Sequence, residues 1–169
     1  MLSKIKVRLL FITIGTIILQ TTCIPYFSIN YIKPDLCSAL YISLLLRFPH
    51  LEAVFLAFFI SSVKELFSNH YFGLEIISLA IPAIFFPVLI RKADIENHMV
   101  KFCIVFLFCL MSFSIYICFI VVAEHVYHAR TLLFSKILGA SLYTTVVALG
   151  VDSVIKKCIP RKTEQYELF

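Results

Sequence analysis

The chemistry-bearing residues of this chain fall into a few spaced groups. Glu65 follows Ala53, Ala57 and Ser61, and Asp152 follows Ala140, Thr144 and Ala148, each set recurring every four residues. That interval places each set on one helix face with its carboxylate at the end. Asp35 stands directly after Lys33 and Pro34, and Lys64 and Glu75 flank the short turn around "SNHYFG". Glu124, His125 and His128 form "EHVYH", in which two histidines three apart could share a helix face. A zinc site would also require further ligands and supporting groups around them, so an interfacial loop is the expected role of this stretch. Six cysteines (Cys23, Cys37, Cys103, Cys109, Cys118 and Cys158) lie in or beside apolar runs without a CxxC pair, and read as small buried fillers. HExxH, GxSxG and Walker-type glycine loops do not occur, and just four glycines are available for phosphate cradles. Neither a catalytic residue, a metal nor a cofactor is expected.

The elements that position these groups follow from composition. Hydrophobic residues make up 61% of the 169 positions and charged residues 15%, with a mean hydropathy of +0.97. A soluble domain carries about 25% charged residues. The expected fold class is therefore all-α, as a polytopic integral membrane protein with a single membrane domain over 1–169. Six spans are predicted at about 9–29, 32–47, 51–67, 72–90, 101–123 and 132–155, the second being short for a full crossing. Lys4, Lys6 and Arg8 ahead of the first run resemble a secretory leader, but no A-x-A site follows, which favours an uncleaved span.

Basic residues orient this layout. With the N-terminus cytoplasmic, eleven Lys and Arg residues fall inside and four outside (Lys33, Lys64, Arg130 and Lys136), so both termini are expected in the cytoplasm. Tyr26, Tyr31, Tyr71 and Tyr127 fall at the predicted outer edge, where amphipathic rings settle. The net charge of +5 is spread in short stretches between apolar runs, which suits topology and not nucleic-acid binding.

In this layout "KPDL" opens the second span. Pro34 suits the first helical turn, Asp35 the positive end of the helix dipole, and Lys33 the headgroup region. The two small-residue stripes are packing seams, either within the chain or against a partner, because small residues let helices approach closely in lipid. Glu65 and Asp152 lie near span ends on opposite sides. Lys64 is placed to neutralise Glu75 or to snorkel, and Glu52 lies near Arg47. Structural pairing explains these acids better than a proton relay, which would put charges at mid-span.

From Gln20 to Leu79 the chain resembles the MreD family of rod shape-determining membrane proteins. The resembling residues are "LQTTCIPY", then "KPDL", then the hairpin "LEAVFLAFFISSVKELFSNHYFGLEIISLA", in which an acidic residue precedes a turn and "FGL". Those positions are Glu65 and Phe72, Gly73 and Leu74; residues 80–169 match in hydropathy alone. Where the family's third span tends to be glycine-rich with Asp before the turn, this chain has Phe58, Phe59, Ser61 and Ser62, then Lys64 and Glu65.

The resemblance implies a non-catalytic component of the bacterial elongation machinery in the inner membrane. It implies association with the bitopic protein MreC and, indirectly, with MreB filaments, RodA and a penicillin-binding transpeptidase. It also implies a fold like the six-helix substrate-binding components of energy-coupling vitamin transporters. Pro34, Asp35, Glu65 and Gly73 are then the positions expected to matter most for assembly. Two alternatives stand beside this reading: a substrate-binding subunit of such a transporter, and an intramembrane enzyme acting on lipid headgroups.

Overall fold

A computed structural model of the chain describes residues 2–28, 32–47, 50–66, 73–93, 97–124 and 130–158. The described residues form six α-helices: α1 (Leu2–Thr22), α2 (Leu36–Leu45), α3 (His50–Leu66), α4 (Leu74–Lys92), α5 (His98–Glu124) and α6 (Arg130–Cys158). A 3₁₀ turn at Ile24–Phe27 follows α1. The apolar run at 9–29 is therefore not one helix. Pro25, at the start of that turn, lacks the N–H that a continuing α-helix would use.

The shortest helix is the hub. In α2 every residue from Cys37 to Leu45 is buried, because α1, α3 and α6 pack along it while α4 and α5 reach it from across the bundle. The remaining neighbours are successive: α3 lies on α4, α4 on α5 and α5 on α6. Tyr41 of α2 sits at the centre, its ring 5.7 Å from that of Phe108, which meets Phe86 edge-on at 4.9 Å. Leu40, Leu44, Ile60, Leu79 and Val105 complete this core.

Large apolar side chains also lie on the outside of the described helices. Phe11 and Ile18 on α1, Phe55 and Phe58 on α3, and Phe85 and Val88 on α4 are all exposed. Soluble monomers rarely leave contiguous apolar patches of such extent on several elements. Two stretches, His98–Val122 in α5 and Lys136–Lys156 in α6, are long and apolar enough to cross a membrane by length and composition. The 10 residues of α2 rise about 15 Å, half the hydrocarbon thickness of about 30 Å.

The cysteine expectation requires a correction. Cys37 and Cys109 are buried, but Cys103 and Cys118 on α5 are exposed. A small apolar side chain suits a lipid-like exterior as well as a core, so burial does not follow from the residue type.

Candidate functional site

The polar groups of the bundle gather at the two ends of α2. At its N-terminus, Asp35 is the capping residue: its Oδ1 accepts from the N–H groups of Cys37 and Ser38 at 3.1 and 3.2 Å. Ser38 Oγ donates to Asp35 Oδ2 at 2.6 Å. The chain ahead of the cap is anchored twice, since the N–H of Asp35 donates to Thr144 Oγ1 and that of Leu36 to Gln20 Oε1. Pro34, expected within the first turn, lies outside the helix before the cap. The shift is physically reasonable: the carboxylate satisfies two orphan N–H groups from the cap position, as it could not from within the turn.

Lys64, near the end of α3, closes this cluster. Its Nζ lies 2.7 Å from Asp35 Oδ2 and 2.7 Å from Glu75 Oε2. One ammonium therefore joins α2, α3 and the first turn of α4. The expected Lys64–Glu75 pair is present; a second partner, Asp35, comes from 29 residues away, beyond what local spacing shows.

Glu65 serves the neighbouring helix start. Its Oε1 accepts from the N–H groups of Gly73, Glu75 and Ile76 at 2.8, 2.8 and 3.3 Å. Gly73, which caps α4, has φ of 102° and no side chain to satisfy those donors. Glu65 supplies from α3 the carboxylate that the local sequence lacks, and places it at the positive end of the α4 dipole.

At the other end of α2, Asp152 of α6 forms ion pairs with Arg47, just beyond α2, and with Lys101 of α5. Arg47 Nη2 also donates to the backbone oxygen of Asp152 at 3.0 Å. The sequence also sets Glu52 near Arg47. The side chain of Glu52 lies outside the described residues.

Between the two ends runs the α6 seam. Thr144, Ala148 and Asp152 are buried, and each meets α2: Thr144 at Asp35, Ala148 through its carbonyl 3.4 Å from Ser43 Oγ, and Asp152 at Arg47. Ala140 is half-buried one turn earlier. The seam is internal, and it holds α2 and α6 side by side and running in the same direction. On α3, Ser61 and Glu65 are buried, while the side chains of Ala53 and Ala57 lie outside the described residues. So do His125 and His128, and Tyr31, Tyr71 and Tyr127.

A small cavity of about 40 Å³ opens beside the Lys64 cluster, lined by Asp35, Ser38, Lys64, Glu75, Ser78, Ser112 and Tyr116, with Leu79 and Phe113. Ser112, on α5, is the residue that sequence reasoning missed: its Oγ is buried without a hydrogen-bond partner among the described residues. In the run "CLMSFSIY" nothing separates it from an ordinary small polar residue. Among the described residues no group of three or more His, Cys, Asp or Glu could hold a metal ion.

Comparison of the chain with protein-family models, with curated proteins and with solved structures finds no match.

Proposed function

We propose that the chain is a multi-pass scaffold of the bacterial inner membrane, acting without catalysis in cell elongation in the manner of the MreD family. The supporting observation is the cluster joining α2, α3 and α4. Asp35, Glu65 and Gly73, which carry the resemblance, meet at one end of the bundle and serve as caps. Helices α2 to α4 then form one stiff unit, a suitable platform for a bitopic partner such as MreC. Through that partner the scaffold would communicate with MreB, RodA and a penicillin-binding transpeptidase.

The helix directions support six crossings with both termini in the cytoplasm. Lys64 joins the end of α3 to the starts of α2 and α4, while Asp152 joins the end of α6 to the end of α2 and the start of α5. Successive helices thus alternate in direction. The more basic cluster, with Arg47 and Lys101, falls on the side to which the positive-inside rule assigns the cytoplasm. The exposed apolar faces of α1, α3 and α4 would meet lipid or partner helices.

The transporter-subunit reading draws support from the small cavity at the predicted outer end, where Asp35, Lys64 and Glu75 meet apolar walls. At about 40 Å³ that cavity accommodates waters or an ion, whereas sites for drug-sized molecules have about 300–1,000 Å³. The scaffold reading is therefore preferred. Depleting the protein from rod-shaped cells that encode it tests the choice. Rounding of the cells with loss of lateral wall synthesis is the expected result, and unchanged shape would overturn the proposal.

A further inference from the structure

Three carboxylates meet one ammonium where α2, α3 and α4 join, and their hydrogen bonds rank them. Asp35 accepts from four donors: the N–H groups of Cys37 and Ser38, the hydroxyl of Ser38 and the ammonium of Lys64. Glu65 accepts from three N–H groups through Oε1. Glu75 accepts from Lys64 alone among the described residues. Donors favour a carboxylate in its charged form, so Glu75 is the least supported anion of the three.

The cluster is short of donors as a whole. Glu65 Oε2, in a residue only 6% exposed, is buried without a hydrogen-bond partner among the described residues. The charges give the same answer. Lys64 brings one positive charge and the N-termini of α2 and α4 about half each, against three carboxylates, which leaves about one negative charge over. A buried charge without compensation is relieved by taking up a proton. A proton needs one acceptor oxygen and no coordination shell. The side chain of Glu75, 12% exposed, keeps a route for its exchange.

The groups around Glu75 favour that outcome. Lys64 of α3 attracts its charge, while Asp35 ahead of α2 and Glu65 of α3 repel it. Cys37 of α2 and Tyr116 of α5 also lie near, as an uncharged thiol and phenol.

We propose that Glu75 is a reversible proton-binding site, taking up a proton near neutral pH, where an exposed glutamate stays ionised. Protonated, its carboxyl keeps the carbonyl oxygen on Lys64 Nζ and leaves Asp35 as the full counter-charge of the ammonium. Ionised, it competes with Asp35 for Lys64, and the junction of α2 with α4 loosens. The site rests on the cluster's own groups and is independent of the scaffold reading.

The test is infrared difference spectroscopy of the purified full chain in detergent micelles, between about pH 6 and about pH 8. The expected result is the C=O band of a protonated carboxyl at the lower pH, lost in Glu75→Gln. Histidines titrate in the same interval but give no such band. Thermal unfolding supplies a second readout. The folded chain holds a proton that an unfolded glutamate releases above about pH 4.3, so stability falls as pH rises. Across the interval the midpoint of the parent chain should fall by about 3–6 °C more than that of Glu75→Gln. The variant keeps an amide oxygen for Lys64 and should fold. Absence of the band from the parent chain would overturn the proposal, as would a band of equal size in Glu75→Gln or equal pH slopes of the two midpoints.

Discussion

Lys64 Nζ lies 2.7 Å from Asp35 Oδ2, joining the end of α3 to the cap of the buried α2. The same ammonium holds Glu75 at 2.7 Å, so one side chain controls the junction of three helices. All three side chains are largely buried, which makes their pairing more consequential than a surface ion pair.

Lys64→Met should be among the most damaging single changes in the chain. It strands two carboxylates in a poorly hydrated site, at a cost of about 3–5 kcal/mol. Adding Glu75→Gln to it should recover part of that loss, because one stranded charge disappears. Thermal unfolding of the single and double variants in detergent measures the coupling, and simple additivity would contradict the pairing.

The cap that Glu65 provides across the hairpin predicts a graded series. Glu65→Gln keeps an acceptor for the N–H groups of Gly73, Glu75 and Ile76 and should cost less than about 1 kcal/mol. Glu65→Ala leaves those donors unmet and should cost about 2 kcal/mol. Hydrogen exchange at residues 73–76 should speed up in the alanine variant before it does so elsewhere.

Gly73 itself should resist substitution for backbone reasons alone. A Cβ there meets nothing within 4 Å, so the cost of Gly73→Ala is that of its positive φ, about 1–2 kcal/mol. Gly73→Asn should be milder, since asparagine tolerates the left-handed region better. Equal losses in the two variants would point to a different cause.

The internal seam predicts a contrast along α6. Ala148→Leu places a bulky side chain against α2 where Ala148 is 2% exposed, and should cost about 1–3 kcal/mol. Ala140→Leu, on a half-buried position of the same stripe, should cost less. Equal tolerance of both in detergent would move the seam out of the packed interior.

Parts of this arrangement were legible in the sequence and parts were not, for identifiable reasons. A Pro–Asp pair ahead of an apolar run marks a helix start, and Asp35 caps one. Lys64 and Glu75 are separated by a single short turn, so their pairing was readable from spacing. Arg47 and Asp152 are 105 residues apart, and their meeting depends on where the short α2 ends beside α6. Proximity in sequence points to Glu52, whose side chain lies outside the described residues. The central place of α2 was hidden for another reason: its residues are almost uniformly apolar, and such a stretch reads the same whether lipid or protein surrounds it. In the sequence Glu65 reads as the end of a stripe, and its role as the cap of another helix becomes visible only once the hairpin is folded.

The measurement that bears most directly on the scaffold proposal is purification of the tagged chain from its native membrane in mild detergent, with co-purifying proteins identified by mass spectrometry. The account predicts recovery of an MreC-like bitopic protein together with cell-wall synthesis enzymes, and weaker recovery with Lys64→Met. Recovery of an ATPase module, or of the chain alone with a bound organic molecule, would contradict it and favour the transporter subunit.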